Sequence, residues 1–336
     1  MVESDVKSPM KVKIIIIIQI LFSASLEVKA QLIKGKVLDY ETNSGVPGAN
    51  IYFNNSINGT TSNLDGLFEL DISRNTGQKI IISSVGYSTE TMLNYSEGKF
   101  YVIYLNPGPV QLDEIVVEAK DNYRKKKLKV FLREFLGETS TARKCKILNP
   151  DDLRLVFHES SNTLEAFADQ PLIIQNSVLG YKIIYFLEEF RHDGKNTYFE
   201  GYHIFQEDTS LFEKEKLKVD KKRKRVYSGS RMHFLRILWN NQLEGSGFTM
   251  KELHSGKSIT YEELVKYEND DKKYLSSACS LAIHYFNQNS YIKFKEKDKV
   301  LFTESGYFDP RGLTWEGHMA LQRMADALPF EYQPIN

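Results

Sequence analysis

Seven histidines, two cysteines and a serine close to a histidine are the residues of this sequence best suited to catalysis or metal binding. A single helix or strand presents two metal ligands when histidines are spaced as H-x-H or H-E-x-x-H. Neither spacing occurs among the histidines at positions 158, 192, 203, 233, 254, 284 and 318. The sequence therefore predicts no metal site, no cofactor site and no catalytic residue, although distant side chains could converge on folding.

Two short arrangements could supply a nucleophile. Ser230 and His233 have helical i, i+3 spacing but no nucleophile elbow, so they are a weak indication of a nucleophile and its base. Cys145 has three basic neighbours that could lower the pKa of its thiol, but a buried cysteine on an apolar face is the favoured interpretation. Cys145 and Cys279 could pair in an oxidising compartment, and two separate buried thiols are favoured over that pairing. Carboxylates are plentiful, so a glycosidase-like pair is neither supported nor excluded.

Composition limits the partners that charge alone could attract. Lys plus Arg and Asp plus Glu number 44 each, so the formal net charge at pH 7 is zero. A chain without net charge has no long-range field to draw it onto nucleic acid. We therefore expect no nucleic-acid partner.

The N-terminus has the features of an export signal. Lys11 and Lys13 precede an apolar stretch over residues 14–25, and Val28-Lys29-Ala30 offers small residues for cleavage. We predict a signal peptide over residues 1–30, with a buried N-terminal strand as the alternative. No apolar run reaches the roughly 20 residues of a membrane span. We expect no transmembrane span after cleavage, and a location in the periplasm or at the periphery of the outer membrane.

Residues 31–119 are predicted to form a first domain of short strands separated by turn residues. Residues 32–39 alternate apolar and polar side chains, as a half-buried strand does. Asn63-Leu64-Asp65-Gly66 predicts a tight turn that pairs the strand over 67–71 with the strand before it. Further strands are expected over 49–53, 79–84, 88–93 and 100–105. About seven short strands predict a β-sandwich of transthyretin-like or immunoglobulin-like form.

Four motifs in this domain carry a family resemblance. They are G-x-V-x-D at 35–39, G-V-P-G-A-N-I at 45–51, G-T-T-S-N-x-D-G-x-F at 59–68 and S-x-V-G-Y at 83–87. Their order resembles the carboxypeptidase regulatory-like domain of Bacteroidetes, a transthyretin-like sandwich. The resemblance implies a non-catalytic module without a peptidase zinc site. Asp39, Asp65 and Asp71 are interpreted as turn or edge residues, because no short Asp-rich calcium loop is present.

Residues 112–119, with the sequence LDEIVVEA, extend the comparison. In TonB-dependent outer-membrane receptors this domain is followed by a similar segment, a plug and a long barrel. The residues after Ala119 lack the many alternating strands of a large barrel, which predicts that this chain alone does not transport. A last strand is the favoured interpretation of the segment, and a TonB-box-like role is the alternative.

Residues 120–140 are predicted to be a linking amphipathic helix, because apolar residues at 128, 131, 132, 135 and 136 share one helical face. Residues 141–336 are predicted to be an α+β domain with an antiparallel sheet and a few helices. Asp193-Gly194 indicates a hairpin between strands over 180–191 and 195–206. Other strands are expected over 153–158, 163–168, 172–175, 247–254, 281–287, 291–295 and 299–303, with the last two joined by a turn at 296–298. Helices are expected over 213–225 and 227–241.

This second region also resembles uncharacterised exported Bacteroidetes proteins, through motifs such as FLGET at 135–139 and CKILNP at 145–150. That resemblance implies no activity. Two of its features could bind a partner, namely the aromatic hairpin over 180–206 and the basic run over 214–225. Core packing of the aromatics and a solvated face for the basic run are the favoured alternatives.

The sequence favours an exported, non-catalytic envelope protein with a structural or binding role, its partner a protein or a glycan. The alternatives are an envelope hydrolase with a site in the second domain and an accessory of TonB-dependent uptake. In the hydrolase alternative, the site would be assembled from distant residues of the second domain, and a cleft around His203, His233 and the aromatic hairpin is its candidate location.

Overall fold

Two layers of short strands form the N-terminal part of the chain. The structure, a computed structural model, describes residues 31–335 except 74, 76, 77, 109–122, 211, 212, 270, 271 and 296–298. The strands are β1 (Leu32–Asp39), β2 (Asn50–Phe53), β3 (Gly59–Thr61), β4 (Leu67–Asp71), β5 (Ile80–Ser83), β6 (Glu90–Met92) and β7 (Phe100–Leu105). They form a three-stranded sheet in the order β4-β1-β7 and a four-stranded sheet in the order β3-β2-β5-β6. The predicted seven-stranded sandwich is confirmed.

Alternate side chains from the two sheets fill the space between the layers. Ile33 and Val37 of β1 and Phe68 and Leu70 of β4 are buried, because every second side chain of a strand points to the same face. Gly66 closes the turn before β4 with a φ of 81°, and a Cβ there would lie 2.3 Å from the Val37 carbonyl oxygen. Glycine is therefore required at this close approach.

The turn at residues 63–66 joins the two sheets. We predicted that it pairs β4 with the preceding strand, and this was wrong, because β3 pairs with β2 while β4 pairs with β1. Buried Ser62 gives the physical reason. Its hydroxyl donates to the Val46 carbonyl at 2.6 Å and accepts from the Ala49 amide at 2.9 Å. These bonds hold the chain against the 46–49 turn at the point where it crosses between the layers.

A six-stranded antiparallel sheet begins the second region. Its strands are β8 (Cys145–Ile147), β9 (Leu153–His158), β10 (Thr163–Ala168), β11 (Leu172–Asn176), β12 (Tyr181–His192) and β13 (Thr197–Glu207). The long strand β12 pairs with β11 and β10 along one edge and with β13 along the other. The predicted hairpin between β12 and β13 is confirmed, and β13 is left at the rim of the sheet.

Helix α1 (Arg124–Leu136) packs on this sheet through the predicted apolar stripe. Phe131 and Phe135 are fully buried, and the Phe135 ring lies 4.9 Å from the Tyr185 ring and 5.2 Å from the Phe199 ring. The helix ends at Gly137, whose φ of 101° does not continue a helix.

The remaining elements enclose a separate core. The strands are β14 (Phe248–Glu252), β15 (Val265–Asn269), β16 (Lys272–Leu275), β17 (Leu281–Tyr285), β18 (Gln288–Phe294), β19 (Val300–Phe302) and β20 (Leu313–Gly317). They form the sheets β14-β17-β18-β20 and β15-β16-β19. The helices are α2 (Glu213–Tyr227), α3 (Arg231–Trp239) and α4 (Tyr261–Leu264), and 3-10 turns span Ala142–Lys144, Pro150–Asp152, His318–Leu321 and Met324–Asp326. Phe234, Leu235 and Leu238 of α3 pack into this core.

Two details of the second region differ from expectation. We predicted that β18 and β19 form a pair, but β18 pairs with β17 and β20 while β19 pairs with β16. The helix expected over 227–241 begins at Arg231, because Gly229 has a φ of 78° and Ser230 caps the first turn. In addition, strands β8, β15, β16 and β20, which are three to five residues long, were not predicted from the sequence.

The sandwich docks against the rim of the six-stranded sheet. The amide of Asn55 donates to the His203 carbonyl at 2.9 Å, and the amide of Phe205 donates to the Ser56 carbonyl at 2.8 Å. A C-terminal segment closes the same contact, because the Phe330 amide donates to the Asn55 carbonyl at 2.8 Å. Glu331 also accepts a hydrogen bond from the Ser56 hydroxyl. The turn after β2 therefore continues the hydrogen bonding of β13.

Truncation of Phe135 to alanine tests the packing of α1 on the six-stranded sheet. Phe135→Ala should lower the free energy of unfolding by about 3–5 kcal/mol, because a fully buried ring leaves a cavity. Urea unfolding followed by circular dichroism measures this loss. Leu217→Ala is the control, since Leu217 is 65% exposed and its truncation should cost less than about 0.5 kcal/mol. Equal losses in the two variants would contradict this packing.

Candidate functional site

Buried polar atoms without a hydrogen-bond partner point to a candidate site, because leaving such atoms unpaired costs free energy. In the described part of the chain these atoms are Tyr52 Oη, Ser83 Oγ, His203 Nδ1, Gln288 Oε1, Trp315 Nε1 and Asp326 Oδ2. Three of them, on His203, Gln288 and Asp326, belong to residues that line two adjoining cavities. A larger groove of about 660 Å³ beside α1 has no such atom among its described lining residues.

The first cavity, here called the junction cavity, lies where the sandwich meets the second region. Its volume is about 270 Å³. The sandwich contributes Asn54 and Asn55, β13 contributes Phe199 and His203, and the start of α3 contributes Arg231. Apolar side chains cover much of the rest, among them Met232, Tyr307, Phe308, Leu328 and Phe330. Apolar walls with a few polar groups are typical of small-molecule sites.

His203 presents a bare ring nitrogen in the junction cavity. Its Nε2 lies 2.7 Å from Asn55 Oδ1, an acceptor, so Nε2 carries the proton and Nδ1 keeps a free lone pair. Nδ1 is buried and has no partner. Burial lowers the pKa of His203 to about 4, so the ring is neutral at pH 7. The ring can therefore accept a hydrogen bond through Nδ1.

Arg231 brings a positive charge to the same cavity. Its guanidinium donates to the Gln322 carbonyl at 3.0 Å, and no carboxylate of a described residue forms an ion pair with it. Burial, with the charge of Arg323 as a second cause, lowers the pKa of Arg231 to about 10, so it is charged at pH 7. Arg323, by contrast, forms an ion pair with Glu134, with 3.9 Å between Nη2 and Oε2. Arg231 is therefore the cation of the junction cavity that forms no ion pair with a described residue.

The second cavity, here called the basic cavity, has a volume of about 300 Å³. Lys222 and Arg225 reach it from α2, and Lys144 reaches it from the 3-10 turn before β8. None of these three cations forms an ion pair with a described residue. The hydroxyl residues Thr139, Ser140 and Thr141 line it as well, with His318 and Gln288. The basic run predicted as a candidate binding surface thus contributes two residues to a concave site.

Asp326 lies in the wall shared by the two cavities. It is 7% exposed, and its Oδ1 accepts a hydrogen bond of 3.0 Å from the Thr139 hydroxyl. Its Oδ2 is buried and unpaired. Burial raises the pKa of Asp326, and the hydrogen bond from Thr139 opposes that rise. Asp326 is the one acid among the described residues that line either cavity.

Ser230 and His233 have structural roles. The Ser230 hydroxyl accepts from the His233 amide at 3.0 Å, which makes it the N-cap of α3. The His233 ring accepts from the Gly229 amide at 3.2 Å and packs against Tyr227, Phe248 and Tyr285. Burial lowers the pKa of His233 to about 4. The expected cleft therefore contains His203 but not His233.

The cysteines and the sandwich aspartates are also accounted for by local structure. Cys145 and Cys279 are both free thiols, and burial raises the pKa of Cys145 to about 12, which opposes an activated thiolate. Asp39 accepts from the Glu41 and Thr42 amides, as a turn aspartate does. Among the described residues, no group of three or more side chains is placed to hold a metal ion.

Part of the aromatic hairpin packs inward. Tyr181, Tyr185 and Phe205 are buried in the core that α1 covers, whereas Tyr198 is 45% exposed. Phe199 and His203 are the hairpin residues that line the junction cavity. Sequence reasoning missed Asn54 and Asn55, which lie in the turn after β2.

Comparison with known proteins places the sandwich in a family. Residues 33–117 match the CarboxypepD_reg-like domain. The predicted regulatory-like sandwich is confirmed by this match. The CarboxypepD_reg-like domain thus supplies Asn54 and Asn55 to the junction cavity, and the predicted segment at 112–119 lies outside the described residues. No helix of the described chain is long and apolar enough to cross a membrane. No curated protein matches the sequence.

Two solved structures were compared with the whole chain. A candidate carbohydrate binding protein from Bacteroides uniformis is 8% identical, with 47% of this chain and 60% of that chain covered, at a TM-score of 0.19. A candidate membrane-associated protein of unknown function from Bacteroides fragilis is 11% identical, with 85% and 94% covered, at a TM-score of 0.18. The chain spans 60% of the first of these proteins. At these TM-scores neither structure informs the function of this chain.

Replacement of Asp326 by asparagine tests whether the shared wall carries a costly charge. The pKa of Asp326 is higher in the folded state than in the unfolded state. The contribution of Asp326 to the free energy of unfolding is therefore most favourable below the unfolded pKa, near 3.8, and it falls as the pH rises through the folded pKa. Asp326→Asn removes the charge and keeps an acceptor for Thr139. The variant should therefore melt at a higher temperature than the parent at pH 7, and the difference should shrink towards pH 4.

Thermal unfolding between pH 4 and pH 8 measures this difference. Asp151→Asn makes the same charge change at an exposed position and should leave the pH profile unaltered. A lower melting temperature for Asp326→Asn at pH 7 would show that the carboxylate stabilises the fold instead.

Proposed function

We propose that the chain is an exported, non-catalytic binding protein of the cell envelope. In this proposal residues 1–30 are a signal peptide, residues 31–119 are the CarboxypepD_reg-like domain, and residues 120–140 link it to a binding domain over residues 141–336. The location is the periplasm or the periphery of the outer membrane. The proposal is supported by the N-terminal export features and by the match of the sandwich to the CarboxypepD_reg-like domain.

The basic cavity is the observation that carries the binding role. Three cations that form no ion pair with a described residue line its hydroxyl-rich interior, and ionised donors form strong hydrogen bonds with carboxylate, phosphate and sulfate groups. In the same walls, Asp326 Oδ2 and Gln288 Oε1 are acceptors that receive no hydrogen bond from the described part of the chain. A sugar that bears an acid group can contact both the three cations and the two acceptor oxygens. Its acid group contacts the cations, and its hydroxyls donate hydrogen bonds to the oxygens. The ligand class proposed is therefore an acidic glycan.

The arrangement of acids favours binding over hydrolysis. Glycosidases use two carboxyl groups that flank the scissile bond. Asp326 is the only acid among the described residues around either cavity, and its raised pKa has burial as its main cause. A single buried acid without a second carboxylate does not provide the acid and base pair of such an enzyme.

Loss of two cations should weaken glycan binding. The double variant Lys222→Gln with Arg225→Gln should bind oligogalacturonate about tenfold more weakly or worse, because each charged hydrogen bond is worth about 1.5–3 kcal/mol. Calorimetric titration of the full mature chain measures the affinity. Carboxyl-reduced, neutral oligosaccharide of the same length should bind the parent protein more weakly than the acidic form.

Lys221→Gln is the matched control, because Lys221 lies on the same helix, is exposed and does not line the basic cavity. It should keep the affinity of the parent. Equal binding of acidic and neutral oligosaccharides, or equal losses in the Lys221 variant and the double variant, would refute an acid-specific site in this cavity.

A further inference from the structure

The junction cavity contains a positive charge that the described chain does not neutralise. Burying a charged group without a counter-charge is costly, so proteins usually pair it. Arg231 faces this cavity, yet the partner of its guanidinium among the described residues is the Gln322 carbonyl, at 3.0 Å. Arg323 lies on the same wall but forms an ion pair with Glu134, whereas Arg231 forms no ion pair with a described residue. The guanidinium of Arg231 therefore favours an anionic ligand.

The same cavity offers an acceptor that lacks a donor. His203 Nδ1 is buried and has no hydrogen-bond partner among the described residues, and the Asn55 bond holds the ring in the tautomer that leaves this nitrogen bare. A ligand N–H or O–H group would satisfy it. The Asn55 side chain also donates to the Leu328 carbonyl at 3.3 Å. The bonds to His203 and Leu328 together fix the orientation of the side-chain amide.

Apolar side chains form much of the remaining cavity wall. Met232, Phe308, Leu328 and Phe330 line the cavity, and its volume of about 270 Å³ limits the occupant to a small molecule or the end of a larger one. We propose that the junction cavity is a second ligand site, separate from the basic cavity, for a small apolar carboxylate that also carries an N–H or O–H donor. The carboxylate contacts Arg231, the donor contacts His203, and the apolar body packs on the remaining wall.

Both parts of the chain build this site. Asn54 and Asn55 belong to the turn after β2 in the sandwich, whereas Arg231, His203 and the apolar wall belong to the second region. A ligand bound between them contacts both sides of the docking interface. Binding therefore stabilises the docked arrangement by mass action.

Three related probes separate the parts of this proposal. N-acetyl-L-phenylalanine has the carboxylate, the N–H donor and an apolar ring, its amide derivative lacks the charge, and 3-phenylpropionate lacks the donor. Calorimetric titration into the full mature chain should show the tightest binding for N-acetyl-L-phenylalanine. The amide derivative should bind about tenfold more weakly or worse, and 3-phenylpropionate should also bind more weakly.

Variants assign the binding to the cavity. Arg231→Gln should reduce the affinity for N-acetyl-L-phenylalanine to that of the amide derivative, and Arg323→Gln is the second variant if the first fails to fold. Arg143→Gln removes an exposed arginine that lines neither cavity and should keep the parent affinity. Equal affinity for the acid and its amide, no binding of any probe at millimolar concentration, or unchanged affinity in the folded arginine variant would each overturn the proposal.

Discussion

The backbone pairing between the sandwich and β13 is the contact on which the rest of the structure depends. An edge strand exposes amide and carbonyl groups that invite pairing with another chain, and proteins commonly cover such edges. Here the turn at residues 54–56 pairs with the outer edge of β13 through Asn55 and Ser56. Glu331 then accepts hydrogen bonds from the Ser56 hydroxyl, the Ile57 amide and the Asn75 side chain, the last at 2.7 Å. The Glu331 carboxylate thus connects two loops of the sandwich to the second region through hydrogen bonds.

The docking contact creates the junction cavity and orients its polar groups. Asn55 has a φ of 58°, which asparagine tolerates better than most residues, and in this conformation its side chain reaches His203. The basic cavity is built differently, entirely within the second region, where α2 and the C-terminal segment meet. The two cavities share Asp326, so one buried carboxylate contributes to both.

The sequence predicted most elements but few of the contacts between them. Alternation in β1 and the turns at Gly66 and Gly194 predicted strands, and the spacing of Phe131 and Phe135 predicted a helix, because these signals are local. Asp326 lies between two alanines in a segment to which the sequence assigned no activity, and its hydrogen-bond partner Thr139 is 187 positions away. The predicted partner of β4 was wrong for the same reason, because Ser62 forms hydrogen bonds with residues that lie 13 and 16 positions away. The pairing of His203 with Asn55 spans 148 positions, and the Asn54-Asn55-Ser56 sequence indicates only a turn.

Hydrogen exchange at the docking contact tests the account most directly. In the full mature chain, exchange followed by NMR at the amides of Asn55, Phe205 and Phe330 should be slow, because each donates to a backbone carbonyl across the interface. Protection at these three amides should approach that of amides within the β12 and β13 hairpin. Exchange at the rate of freely exposed amides would contradict the docking of the sandwich on β13, and with it the junction cavity.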